Sequence, residues 1–99
     1  MILYIDTSDN QKTIVGLDDD RLEKPTGRDK SQQVLGLIEE MLTKQNKKLE
    51  DISEIKVETG PGSFTGLRVG AAVANSLAWA LNIPVNGQKL VEPKYGEKK

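Results

Sequence analysis

Glycines at positions 60, 62, 66 and 70 constrain this chain more than any other feature. They punctuate Gly60-Pro61-Gly62-Ser63-Phe64-Thr65-Gly66-Leu67-Arg68-Val69-Gly70, which separates a β-rich run from a long stretch of small, helix-compatible residues. Gly60 and Gly62, flanking Pro61, suit a tight turn with positive φ. Gly66, Gly70, Ala74 and Ala78 recur every four residues, so a helix carries them as one small-residue ridge that lets its backbone approach a neighbour closely. Val69, Val73, Leu77 and Leu81 form a bulkier ridge beside it. The spacing predicts a helix from about Thr65 to Leu81, packed tightly through one wide face. Its other side carries Arg68, Ala72, Asn75, Ser76 and Trp79, with little charge. In a chain of 99 residues, that side is expected to be covered by another subunit, where Trp and Arg are favoured anchors. The blander alternative is a tryptophan lying over the edge of its own domain.

The rest of the chain supplies a sheet for that helix. Ile2 to Thr7 and Thr13 to Leu17 are β-rich runs, and Asp6-Thr7-Ser8-Asp9-Asn10 between them is turn chemistry, so an antiparallel hairpin is expected. Asp18-Asp19-Asp20 reads as a solvated turn, and Arg21 to Lys24 as a short edge strand closed by Pro25. Asp29 with Gln32 has capping-box spacing and opens a helix on which Val34, Leu35, Leu37, Ile38, Met41 and Leu42 share one arc. Gly36 falls on its polar side. Ile52 to Thr59 alternates as the next strand, and Pro84-Val85 begins a last short one. The order β-β-β-α-β-α-β implies an α/β fold with a mixed sheet and crossover helices. One lobe over residues 1–85 is expected, followed by a polar, flexible tail over 86–99.

Composition removes several classes of chemistry. There is no cysteine and no histidine, which excludes a disulfide scaffold, a Cys/His metal site and a histidine general base. Lys and Arg number 14 against 15 Asp and Glu, so no global field recruits nucleic acid or a membrane surface. No run approaches the roughly 20 apolar residues of a membrane span, and the first residues lack signal-peptide character. A cytoplasmic protein is the expectation, with no membrane partner.

A strand, then glycines, then a helix start is a general anion-binding arrangement, because free backbone N–H groups and the positive helix end converge there. A Walker A loop places lysine after its final glycine, whereas Leu67 follows Gly66. G-x-G-x-x-x-G is one residue longer than the dinucleotide fingerprint, and Ile83-Pro84-Val85-Asn86 occupies the region, about 20 residues on, where a ribose-binding acid belongs. Neither nucleotide pattern is met, and no cofactor is expected.

The eleven-residue segment resembles the signature of the TsaB (YeaZ) family, accessory proteins of bacterial N6-threonylcarbamoyladenosine tRNA modification. Ile5-Asp6-Thr7-Ser8 and the Arg28-x-x-Ser31 helix start are similar to that family at matching places, and the likeness runs from Met1 to about Val85. The resemblance implies half of an actin-like, Hsp70-like (ASKHA, ribonuclease H-like) fold. It implies a non-catalytic subunit, in a group also described as glycoprotease-like (M22). As implied partners it brings a TsaD-like transferase, a TsaE-like ATPase and a second copy of the chain, with tRNA touched only indirectly. Lys30 stands where the family commonly has histidine, and Gly36 where it commonly has proline. The family's second lobe is missing from this sequence, so no interlobe nucleotide cleft is expected within it.

The candidate residues fall into three groups. Gly60, Pro61, Gly62, Ser63, Phe64, Thr65, Gly66, Leu67 and Arg68 form the motif loop. Leu35, Ile38, Met41, Leu42, Arg68, Asn75 and Trp79 are expected at a partner interface on the two helices. Asp6, Thr7 and Ser8 form a candidate phosphate hairpin. A scaffold for the transferase is the leading expectation. The alternatives are an autonomous nucleotide-binding or ATPase-like module and a self-associating remnant.

Overall fold

The computed structural model describes residues 1–89. Three strands come first: β1 (Ile2–Asp6), β2 (Lys12–Leu17) and β3 (Asp20–Pro25). Helix α1 (Lys30–Lys44) carries the chain across the sheet, a 3-10 turn (Leu49–Asp51) leads into β4 (Glu54–Val57), and α2 (Phe64–Leu81) follows. The sheet order is β3-β2-β1-β4, antiparallel throughout except for the parallel β1–β4 pair. The expected last strand is reduced to a single parallel bridge between Ile55 and Val85.

The register explains where the core sits. Leu3 lies opposite Leu17 and Ile55, and Ile5 opposite Val15 and Val57, so these six side chains share one face. All six are buried, and both helices pack on that face. From α1 come Val34, Leu37, Ile38, Met41 and Leu42; from α2 come Leu67, Ala71, Val73, Ala74 and Ala78. The opposite face presents Ile2, Tyr4 and Asp6 of β1, half-buried, with the Arg21 guanidinium 4.6 Å over the Tyr4 ring. Burial, reinforced by the Asp6 charge, pushes the Tyr4 phenol above its ordinary pKa.

Helix α1 starts as its sequence suggests. The Asp29 carboxylate accepts the Gln32 backbone N–H, 3.1 Å away, and this bond is the main reason its pKa lies below the usual carboxylate range. At the other end Lys44 pairs with Asp20 at 3.0 Å, and Gln45 Nε2 donates to Leu17 O, tying the helix to the β2–β3 turn. In that turn Asp18 has φ 55° and its carboxylate accepts the Ile2 N–H, so the first residue of the Asp triplet closes the sheet end. The triplet brings no metal cluster: no group of three potential ligands occurs among the described residues.

The expectation for α1 needs correction. Ile38, Met41 and Leu42, expected at a partner interface, are only 3%, 0% and 7% exposed and belong to this chain's own core. The arc on α1 is wide enough to be shared: its centre meets the sheet, and only Leu35, 44% exposed, remains outside. Just past residue 85, Asn86 to Gln88 form a paired turn beside β4. The tail beyond Lys89 lies outside the described residues.

Candidate functional site

The end of β1 lies against the glycine loop, which follows β4 and leads into α2. Gly60 has φ 120° and precedes a cis peptide to Pro61, which turns the chain from β4 towards α2. Ser63 caps α2, its Oγ accepting the Gly66 N–H at 3.3 Å. The Ser63 N–H in turn donates to Ser8 O at 2.7 Å, and the buried Thr7 hydroxyl donates to Gly66 O at 2.5 Å. A Cβ on Gly66 would overlap the Thr7 carbonyl oxygen, and one on Gly70 the Thr7 hydroxyl. The glycines at 66 and 70 therefore let the helix start touch the end of β1 backbone to backbone.

Lys30, the first residue of α1, completes this junction. Its Nζ donates to Asp9 O at 2.9 Å and to Thr7 O at 3.4 Å, holding the β1–β2 turn against both helix starts. Burial lowers the pKa of this ammonium, while Asp9 and Asp6 oppose that shift. No motif reading singles out Lys30 as a tie between elements; the only signal is a lone cation at a helix start, where the dipole disfavours positive charge.

The candidate phosphate hairpin uses its polar groups internally. The Ser8 hydroxyl and the Ser8 N–H both donate to Asp6 Oδ1, at 2.6 and 3.0 Å. Thr7 Oγ1 is committed to Gly66 O and fully buried. Asp6, Thr7 and Ser8 thus converge with the motif loop as a structural joint in which the Thr7 hydroxyl is spent on Gly66 O and the Ser8 hydroxyl on Asp6. A phosphate at this place would have to break those bonds first, which costs the desolvation of each partner left behind.

The outer side of the helix pair has a different character. Leu35 of α1 and Ala72, Ser76, Leu77 and Ala80 of α2 line a shallow apolar groove, and a more polar continuation, lined by Gly36, Glu39, Lys47 and Lys48, leads on to Leu49. Trp79 is 83% exposed, and helical spacing puts it on the same flank of α2 as Ala72, Ser76 and Arg68. The Arg68 guanidinium lies 5.6 Å over the ring of Phe64, itself 55% exposed. Of the seven interface candidates, the structure brings Leu35, Arg68 and Trp79 to the surface, leaves Asn75 half-buried, and places the other three in the core. Leu67, within the motif, is also a core residue. Sequence spacing did not reveal Leu49, which reaches the groove only through the 3-10 turn.

Comparison with known proteins fits this geometry. The family model described as "TsaD: tRNA N6-adenosine threonylcarbamoyltransferase" matches residues 24–88, from the edge strand through the glycine loop and α2. A Bacillus subtilis protein, "tRNA threonylcarbamoyladenosine biosynthesis protein TsaB", is 36% identical over 95 residues, which cover 92% of this chain and 42% of that protein. The solved structure "YeaZ from Pseudomonas aeruginosa" superposes with a TM-score of 0.70 at 29% identity, covering 85% of this chain and 41% of that one. The chain belongs to the TsaB (YeaZ) family, within the wider TsaD-like group. A "tRNA N6-adenosine threonylcarbamoyltransferase" from Vesicomyosocius okutanii is 47% identical over a shorter stretch of 57 residues, 58% of this chain and 17% of that enzyme. The chain spans less than half the length of these relatives. Its mixed sheet with two helices on one face is the TsaD-like ASKHA architecture expected from the motif.

Proposed function

We propose that this chain is a non-catalytic accessory subunit in N6-threonylcarbamoyladenosine modification of tRNA. It docks a TsaD-like transferase through the outer faces of α1 and α2, and pairs with a second copy when the transferase is absent. The observation that carries this reading is the apolar groove between Leu35 and Leu77, flanked by the exposed Trp79. Exposed aliphatic and aromatic anchors on adjoining helices are the composition of a protein interface core. The glycine loop supports this surface from beneath: it fixes where α2 begins relative to β1 and so sets the groove's shape.

The nucleotide-binding alternative finds less support, because the hydroxyls of Thr7 and Ser8 are already committed to Gly66 and Asp6. Sedimentation velocity of the chain mixed with the TsaD-like transferase of its own organism tests the scaffold reading. A complex at micromolar concentration is expected. A folded chain that stays separate from the transferase overturns the reading, and tight binding of ATP with magnesium in calorimetry would favour the alternative.

A further inference from the structure

The outer edge of β4 is closed in an unusual way. Its first two rungs are ordinary: the Ile55 N–H donates to Pro84 O at 3.0 Å, and the Asn86 N–H donates to Ile55 O at 2.8 Å. A continuing parallel strand would next pair its backbone with Val57. Instead the chain reverses, with φ of 52° at Asn86 and 76° at Gly87, and the Val85 N–H to Gln88 O and Gln88 N–H to Val85 O bonds close a two-residue turn. Positive φ at both central positions is the type I′ pattern, which favours Asn-Gly. The missing rungs are supplied by a side chain. The Val57 N–H donates to Asn86 Oδ1 at 2.9 Å, and Asn86 Nδ2 donates to Val57 O at 3.0 Å.

A carboxamide performs both halves of that exchange, since it accepts and donates from one planar group. Aspartate keeps the acceptor but loses the donor, and sets a carboxylate oxygen against the Val57 carbonyl. Val57 is also the last residue of β4 before the loop that leads to α2. The clasp therefore steadies the strand from which the glycine loop departs.

We propose that Asn86-Gly87 is a deamidation site, and that the reaction unlatches the end of β4. Glycine after asparagine leaves the following backbone nitrogen unhindered. That nitrogen attacks Asn86 Cγ, a C–N bond forms, the Cγ–Nδ2 bond breaks, and Nδ2 leaves as ammonia with the proton from the Gly87 N–H. Water then opens the resulting succinimide, at Cγ to give aspartate or at the Asn86 carbonyl carbon to give isoaspartate. Either product lacks the Nδ2–H donor that holds Val57 O. In the closed turn both ends of the carboxamide are held, so the reaction proceeds through openings of the hairpin, and each event removes the clasp permanently.

The test is to age the folded chain at mildly alkaline pH, then combine peptide mapping by mass spectrometry with hydrogen exchange. The Asn-to-Asp mass gain should appear at Asn86 ahead of Asn10, Asn46, Asn75 and Asn82. In the modified population, and in Asn86→Asp, the carboxylate is repelled by the Val57 carbonyl oxygen it faces and withdraws from the Val57 N–H as well, so that amide should exchange about tenfold faster, the scale of one lost net hydrogen bond. Should Asn86→Asp fail to fold, the aged wild type provides the same comparison. Unchanged exchange at Val57 overturns the clasp. Modification that begins at another asparagine, or spares Asn86, overturns the release site.

Discussion

Gly66 and Gly36 both lie in helices, yet substitution by alanine should move stability in opposite directions. A Cβ at Gly66 would overlap the carbonyl oxygen of Thr7, a backbone atom that cannot swing aside. Forcing it in shifts α2 away from β1 and should cost about 1–3 kcal/mol, the range for overpacking. At Gly36 nothing lies within 4 Å of the added carbon, so alanine there should gain about 0.5–1 kcal/mol by restricting the unfolded chain and favouring helix. Urea denaturation of the two variants checks both signs, and a neutral Gly66→Ala would remove the case for backbone contact at that joint. The role of Gly66 was legible in sequence because a spacing of four needs no tertiary knowledge to be read as a ridge. The clasp at Asn86 was not, because its meaning depends on Val57, which is 29 residues earlier and becomes a neighbour only when β4 and the Val85 bridge align. Lys30 escaped for the same reason, as its acceptors Thr7 O and Asp9 O lie on a different element.

Helix α1 is held at its two ends by carboxylates that acid should release. Asp29 takes a Gln32 N–H and the Ser31 hydroxyl, and Asp20 takes the Lys44 ammonium, so both have pKa values below the ordinary carboxylate range. Each is a depressed acid. Its contribution is complete above the unfolded value of about 3.9 and disappears as pH falls through the lower folded value. Denaturation midpoints should therefore be flat near neutrality and decline below about pH 4. Asp29→Asn keeps a good N-cap but cannot titrate, so it should fold well at pH 7 and show a shallower acid decline. Equal acid slopes in Asp29→Asn and the wild type would show that the cap charge contributes nothing to the decline. At this scale the sequence was informative about identity and less so about extent. The helices and the first three strands were readable from periodicity and turn residues. The strand expected over Ile52 to Thr59 shortens to Glu54–Val57, because a 3-10 turn takes up the chain before it and the glycine loop begins after it.

For the molecule as a whole, the decisive question is which apolar residues belong to the fold and which await a partner. Periodicity alone put Leu35, Ile38, Met41 and Leu42 on one arc of α1, and it cannot say where on that arc the sheet ends. The structure divides them, with Met41 fully enclosed and Leu35 at the rim of the groove with Leu77. This division predicts two distinct responses to an introduced charge. Met41→Glu buries an unpaired carboxylate in the core beneath α1, and the chain should lose its cooperative thermal transition at neutral pH. Leu35→Glu and Trp79→Glu place the same charge in water while the partner is absent, so their melting temperatures should stay within about 2 °C of the wild type, as surface changes away from caps and cores do. Once a partner covers the groove, that charge must be desolvated against apolar surface. Both variants should then weaken association by about tenfold or more, the effect of losing an interface anchor. Sedimentation velocity across a concentration series, alone and with the TsaD-like transferase, reads the association, while circular dichroism melts read the fold. Wild-type association in both surface variants would remove the outer helix faces as the docking surface. A stable, folded Met41→Glu would mean that α1 sits on the sheet less tightly than its burial requires.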